Sequence, residues 1–181
     1  MRLFRITRRR DRIGAFDGIG ASMYPGRWNE RTRRVVYVTS RIPLGILEVV
    51  VQSSSAPLTG YVMYPIDVPD ASLEAADRSA LSPAWRSAAS GRAECRRVGE
   101  TWRSRGASVG LIVPSAVVPE AYDFGDVNVV LNPQHADFAG VTIGDAIPID
   151  LDARLRAIVS ALPSSATGRR TSPAAKTRRR R

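Results

Sequence analysis

The apolar positions of this chain fall into short β-like stretches separated by two longer helical segments. Arg2–Ile6 reads as a short strand, and a Gly-rich, irregular stretch runs from Gly14 to Arg33. Arg34–Thr39 (RVVYVT) is rich in β-branched residues and predicts a strand with Val36 and Val38 on one face and Tyr37 on the other. Ser40 suits a helix cap and Pro43 a first turn, so a helix is expected over Arg41–Gln52. Tyr61–Val68 predicts a further strand, closed by Pro69. Ser82–Arg105 is helical in pattern, with a break near Ser90-Gly91. Val109–Val113, ended by Pro114, and Val127–Leu131, followed by an Asn132-Pro133 turn, complete the main strands. A strand near Ala146–Ile149 and a helix over Asp152–Leu162 finish the domain. Strands and helices mix without a regular βαβ beat, which argues an α+β fold rather than a doubly wound sheet.

The net charge of +10 changes this picture less than it first suggests. Seven of the 27 basic residues lie in 163–181, where there is no acid; residues 1–162 carry 20 basic against 17 acidic groups, a net +3. The folded part is therefore nearly balanced, and the pI near 11.0 describes mostly a tail. That tail is small, polar and basic, too poor in apolar side chains to offset its ordering entropy, and is expected to be disordered. At 181 residues the chain suits one domain, 1–162, plus the tail. One cysteine, Cys95, and one histidine, His135, rule out an internal disulfide and a His-rich metal site. No secretory signal follows Arg8, Arg9 and Arg10, and the apolar runs at Leu44–Val51 and Val109–Val118 are too short to span a bilayer. The expectation is a soluble cytoplasmic protein.

Gly18-Ile19-Gly20 invites a dinucleotide-fold reading, but Met23 stands where the third glycine of G-x-G-x-x-G belongs, and no strand leads directly into it. Pro25-Gly26-Arg27-Trp28-Asn29 combines a flexible backbone with a planar cationic fork and suits an anion; it equally suits a turn with a surface arginine. Glu48 lies on a stripe with Arg41, Gly45 and Gln52 at helical spacing. That stripe faces either solvent or a polar cleft. Ser115 follows an apolar strand at Val113-Pro114, a place where catalytic and inert serines both occur. No G-x-S-x-G surrounds any serine, and His135 after its Asn-Pro turn reads as structural.

The order of the pieces is more specific than any one of them. Gly18-Ile19-Gly20-Ala21, Gly26-Arg27-Trp28-Asn29, Val35-Val36-Tyr37-Val38-Thr39 and Leu44-Gly45-Ile46-Leu47-Glu48-Val49 come first. Gly99-Glu100-Thr101-Trp102 and Val113-Pro114-Ser115-Ala116-Val117-Val118-Pro119 follow. Asn128, Leu131-Asn132-Pro133-Gln134-His135 and Asp152-Ala153-Arg154-Leu155 close the series. Over residues 2–155 this set resembles the RES domain, named for its arginine, glutamate and serine. Two positions depart from the family pattern: Pro25 replaces a glycine, and Arg96 stands where glutamine is common.

The resemblance implies an ADP-ribosyltransferase-like fold of mixed β-sheets flanked by short helices. It implies breakdown of NAD⁺ by hydrolysis or phosphorolysis, or transfer of ADP-ribose to a protein, and an Xre-like antitoxin that covers the active site. Matched motif by motif, Arg27, Tyr37, Glu48 and Ser115 become the site residues. NAD⁺ is then a substrate, inorganic phosphate a candidate co-substrate, and no cofactor or metal is called for. Cleaving the nicotinamide–ribose bond builds positive charge on the ribose. A carboxylate such as Glu48 would stabilise it, a contact worth about 2.7–4 kcal/mol. Arg27 would hold the pyrophosphate, Tyr37 would pack on the nicotinamide, and Ser115 would orient the substrate or Glu48. A basic nucleic-acid-binding module, motivated by the tail, is the alternative from another class.

Overall fold

A computed structural model describes residues 1–52, 58–87, 90–118 and 125–161. The basic segment 163–181, and with it the expected disorder, lies outside the described residues. The strands are β1 (Arg2–Thr7), β2 (Val36–Thr39), β3 (Val62–Asp67), β4 (Leu73–Ala75), β5 (Gly110–Pro114), β6 (Val127–Leu131), β7 (Thr142–Ile143) and β8 (Ile147–Pro148). They form one sheet in the order β4-β5-β6-β2-β1-β3-β7, and β8 also pairs with β3. Every pairing is antiparallel except β4 with β5. This is the mixed α+β architecture expected from the pattern.

The helices are α1 (Arg12–Phe16), α2 (Ile19–Met23), α3 (Ile42–Gln52), α4 (Ser90–Arg105) and α5 (Ala153–Ala161). The stretch read as irregular thus contains two short helices. Asp11 caps the first, its Oδ1 accepting the Gly14 N–H, and before the second Asp17 Oδ1 accepts the Ile19 N–H across the turn. Gly18, at φ +70°, turns the chain between them. The second long helix begins where a break was expected. Residues 83–87 form a turn instead, and a Cβ at Gly91 would lie 1.9 Å from the Trp85 carbonyl oxygen, so that turn sits directly on the helix start. Ser40 does not cap α3. Its hydroxyl donates to the Gly125 carbonyl and accepts the Val127 N–H, both at 2.9 Å, which ties the α3 entry to β6.

The two faces of the sheet carry different cores. Val36, Val38, Val129 and Leu131 join Leu3, Phe16, Tyr64 and Ile66 on one face. On the other, Val130, Leu111 and Val113 pack with Trp28, Trp85, Cys95 and Trp102, with Tyr37 against them. The predicted alternation of β2 is therefore real, and Tyr37 faces the tryptophan-rich side. Helix α3 packs so close to the sheet that a Cβ at Gly45 would sit 2.9 Å from both Ile6 Cδ1 and Thr39 Oγ1. Its flank carries Ile46, Val49 and Val50 against Leu58, Leu151 and Leu155. Exposed Leu47 and Val51 mark its solvent side, and the polar stripe points in another direction.

Candidate active site

That direction is a cavity of about 320 Å³. Gly45, Glu48 and Gln52 line it from α3; Arg41, the fourth residue of the stripe, instead faces Asp126 at 3.7 Å. The stripe thus borders a cleft. Arg27, Tyr37 and Asn128 line the same cavity. Its volume lies within the range of small-molecule pockets.

Glu48 is half-buried, and its Oε1 accepts two hydrogen bonds, from Ser115 Oγ at 2.9 Å and Asn128 Nδ2 at 2.6 Å. The register brings these partners together. Asn128 on β6 stands opposite Thr39 on β2 and Val113 on β5, two residues before Ser115. Ser115 is itself buried, at 4% exposure, and sits behind the carboxylate; its neighbours Pro114 and Ala116 line the cavity. Its oxygen accepts the N–H groups of Val117 (3.0 Å) and Val118 (3.4 Å), so its one hydrogen is left for Glu48. Asn128 is the site neighbour that pattern reading did not single out as a site residue. An amide inside the otherwise apolar run Val-Asn-Val-Val-Leu was the available signal.

Arg27 reaches the cavity wall but is also a brace. Its Nη1 donates to the carbonyls of Trp85 (2.8 Å) and Ser87 (3.2 Å), its Nη2 to that of Arg86 (3.2 Å). Tyr37 is fixed through its hydroxyl, which donates to Asn29 Oδ1 at 2.8 Å and accepts the Trp28 N–H at 3.0 Å. Burial pushes this phenol well above its ordinary range, so it stays neutral. Asn29, 2% exposed, completes the loop: Oδ1 also accepts the Gly26 N–H, and Nδ2 donates to the carbonyls of Ala21, Glu30 and Arg33. Gly26 lies on the Tyr37 ring, where a Cβ would come within 2.7 Å of Cζ. Beneath the strand, Arg5 donates to the Tyr37 carbonyl at 2.9 Å, and burial lowers its pKa to about 10.

With this geometry in view, the family model described as the RES domain matches residues 2–152. The chain belongs to the RES domain family. It is 34% identical over 139 residues to "Toxin Res" of Photorhabdus laumondii, a match covering 76% of this chain and 85% of that one. It is 36% identical over 129 residues to the "Prs ADP-ribosylating toxin" of a Sphingobium species, covering 68% and 76%. The fold is similar to that in the crystal structure of the M. tuberculosis MbcT–MbcA toxin–antitoxin complex. There the TM-score is 0.60 at 19% identity, over 89% of this chain and 87% of that one.

The remaining RES-domain pieces act as architecture. A Cβ at Gly99 would lie 1.9 Å from the Trp28 carbonyl oxygen, so this glycine lets α4 touch the loop that carries Arg27. Trp102 Nε1 donates to Ser108 Oγ at 2.8 Å inside the core. His135 is structural: its Nδ1 accepts the Asp137 N–H at 3.1 Å at the start of a 3₁₀ turn over Ala136–Gly140. Arg96, at the departing position, faces Glu30 at 3.7 Å. No helix among the described residues is long and apolar enough to cross a membrane.

Proposed function

We infer that this RES-domain protein is the toxin of a toxin–antitoxin pair and that it destroys NAD⁺ by cleaving the nicotinamide–ribose bond. One observation carries the reading: a carboxylate, Glu48, oriented by two hydrogen bonds to the same oxygen, shares a cavity with a guanidinium, Arg27, and an aromatic ring, Tyr37. The relatives named as toxins support the biological role.

The chemistry follows from those groups. The bond between C1″ of the ribose and the nicotinamide nitrogen breaks with its electron pair on the nitrogen, and nicotinamide leaves neutral. The ribose becomes oxocarbenium-like, and Glu48 stabilises it through the carboxylate oxygen that holds neither Ser115 nor Asn128. A water oxygen then bonds to the same ribose carbon and loses its proton to solvent, or an anionic phosphate oxygen bonds there with no proton to lose. Tyr37, its hydroxyl held by Asn29 and Trp28, offers a fixed ring to the nicotinamide. Arg27 supplies positive charge for the pyrophosphate with the part of its fork not bonded to residues 85–87. Ser115 acts on Glu48 rather than on the substrate. No cofactor or metal enters this scheme.

Incubating the purified protein with NAD⁺, with and without phosphate, and identifying the products tests this reading. Free nicotinamide with ADP-ribose indicates water as acceptor; ADP-ribose-1″-phosphate indicates phosphate. Intact NAD⁺ under both conditions contradicts it. The relative named for ADP-ribosylation favours a second reading, transfer to a protein. Label from NAD⁺ appearing on one cellular protein, with little free ADP-ribose, would select that acceptor. The partner is an antitoxin, of Xre-like type, that covers the cavity.

A further inference from the structure

Arg86 stands in the turn before α4, 29 residues away from Ser115 in sequence, and does not line the cavity. Its Nη2 nevertheless donates to the carbonyl of Ala116 at 3.1 Å and also to that of Val118. One guanidinium nitrogen thus clamps both ends of the turn that follows Ser115. The amides of that same turn, Val117 and Val118, occupy the acceptor side of the Ser115 hydroxyl. A serine hydroxyl has one hydrogen, and here it goes to Glu48 Oε1. The conformation of residues 116–118 therefore decides where that hydrogen points.

Arg86 is in turn held in place. Its guanidinium lies over the Trp85 ring, 5.7 Å from the centroid, and Arg27 lies over the same ring at 5.9 Å. Arg27 also binds the Arg86 carbonyl. The two arginines form a relay from the glycine loop, through the turn at 83–87, to the serine behind the carboxylate.

We propose that Arg86 is a positioning residue for the reaction: by clamping the 116–118 turn it fixes the Ser115 hydrogen on Glu48 and so sets the carboxylate against the ribose. This rests on the NAD⁺-cleavage reading above. It acts at a distance from substrate, so its loss lowers turnover rather than binding.

A double-mutant cycle tests it, with wild type, Arg86→Ala, Ser115→Ala and the double variant assayed on NAD⁺. Glu48→Gln serves as the inactive reference, and Tm is measured for each protein to confirm folding. Arg86→Ala should lower kcat by roughly 10- to 100-fold, the scale for a small misplacement of a catalytic group, with KM nearly unchanged. The double variant should be no slower than Ser115→Ala alone, since both act through one hydrogen bond. Arg86→Lys, which offers a single nitrogen to the two carbonyls, should recover most of kcat. Independent effects that multiply in the double variant, or a wild-type kcat in Arg86→Ala, overturn the proposal. Amide hydrogen exchange at Val117 and Val118 provides an arm that needs no activity. Faster exchange in Arg86→Ala supports the clamp, and unchanged exchange overturns it. If the wild type leaves NAD⁺ intact, the reaction assignment fails by itself, and the exchange arm alone decides whether Arg86 holds the turn.

Discussion

Asn128 holds Glu48 with its amide nitrogen while its own Oδ1 is buried without a partner, an arrangement whose evident use is to orient the carboxylate. Asn128→Ala should therefore lower kcat on NAD⁺ by roughly 10- to 100-fold, the scale for a small misplacement of a catalytic group. Its fold should survive, because the substitution also removes the unpaired oxygen; circular dichroism and Tm check that. Tyr37 has the opposite balance. Its hydroxyl satisfies the Trp28 N–H and Asn29 Oδ1 inside the protein. Tyr37→Phe should cost about 1–3 kcal/mol in denaturant unfolding, because a buried donor is left unpaired. A stability within error of wild type would show that water reaches those groups.

At the level of elements, α4 and its entry turn hold the site from behind, and two measurements bear on them. Gly99→Ala would drive a Cβ into the Trp28 carbonyl, a backbone atom that cannot swing aside. It should destabilise by about 1–3 kcal/mol or more, whereas Gly140→Ala, with open space around it, should stay within about 0.5 kcal/mol. Glu94 fastens the turn to the helix by accepting the Ser82 N–H and hydroxyl, and these bonds hold its carboxyl below the usual range. Its folded-state pKa lies below its unfolded value, so the stability it adds is present above the ordinary glutamate range. That stability is lost as pH falls through the depressed value. The Tm difference between wild type and Glu94→Gln should accordingly shrink on acidification; a difference constant with pH would contradict the assignment. Much of this element structure was legible in the sequence: β2 alternates, β6 is a short apolar run bounded by a turn, and α3 has a proline in its first turn. The Glu48 stripe left solvent and cleft both open until the fold set it on the cavity wall. Strand β4 was not legible, since Leu73–Ala75 is three residues long and exists by pairing with β5. Nor could periodicity show that Ser40 binds β6 rather than capping α3, because that choice depends on a partner 87 residues away. Arg86 was equally hidden, as one arginine among many until the fold brought it to the serine turn.

Across the whole molecule, the fold brings together residues far apart in sequence. Arg27 comes from the loop after α2, Tyr37 from β2, Glu48 from α3, Asn128 from β6, and the serine behind them from the end of β5. The excess positive charge resides elsewhere, in 163–181. Any salt-sensitive nucleic-acid binding should disappear on deleting that segment while NAD⁺ turnover stays intact; binding retained by the truncated protein would place a basic surface on the domain itself. The central claim is that one cavity, built around Glu48, breaks the nicotinamide–ribose bond. Its most direct test is the rate of nicotinamide release from NAD⁺ by purified wild type and Glu48→Ala under identical conditions. The account predicts steady release by the wild type and a loss of roughly 10²-fold or more in the variant. Equal rates for the two proteins would contradict it.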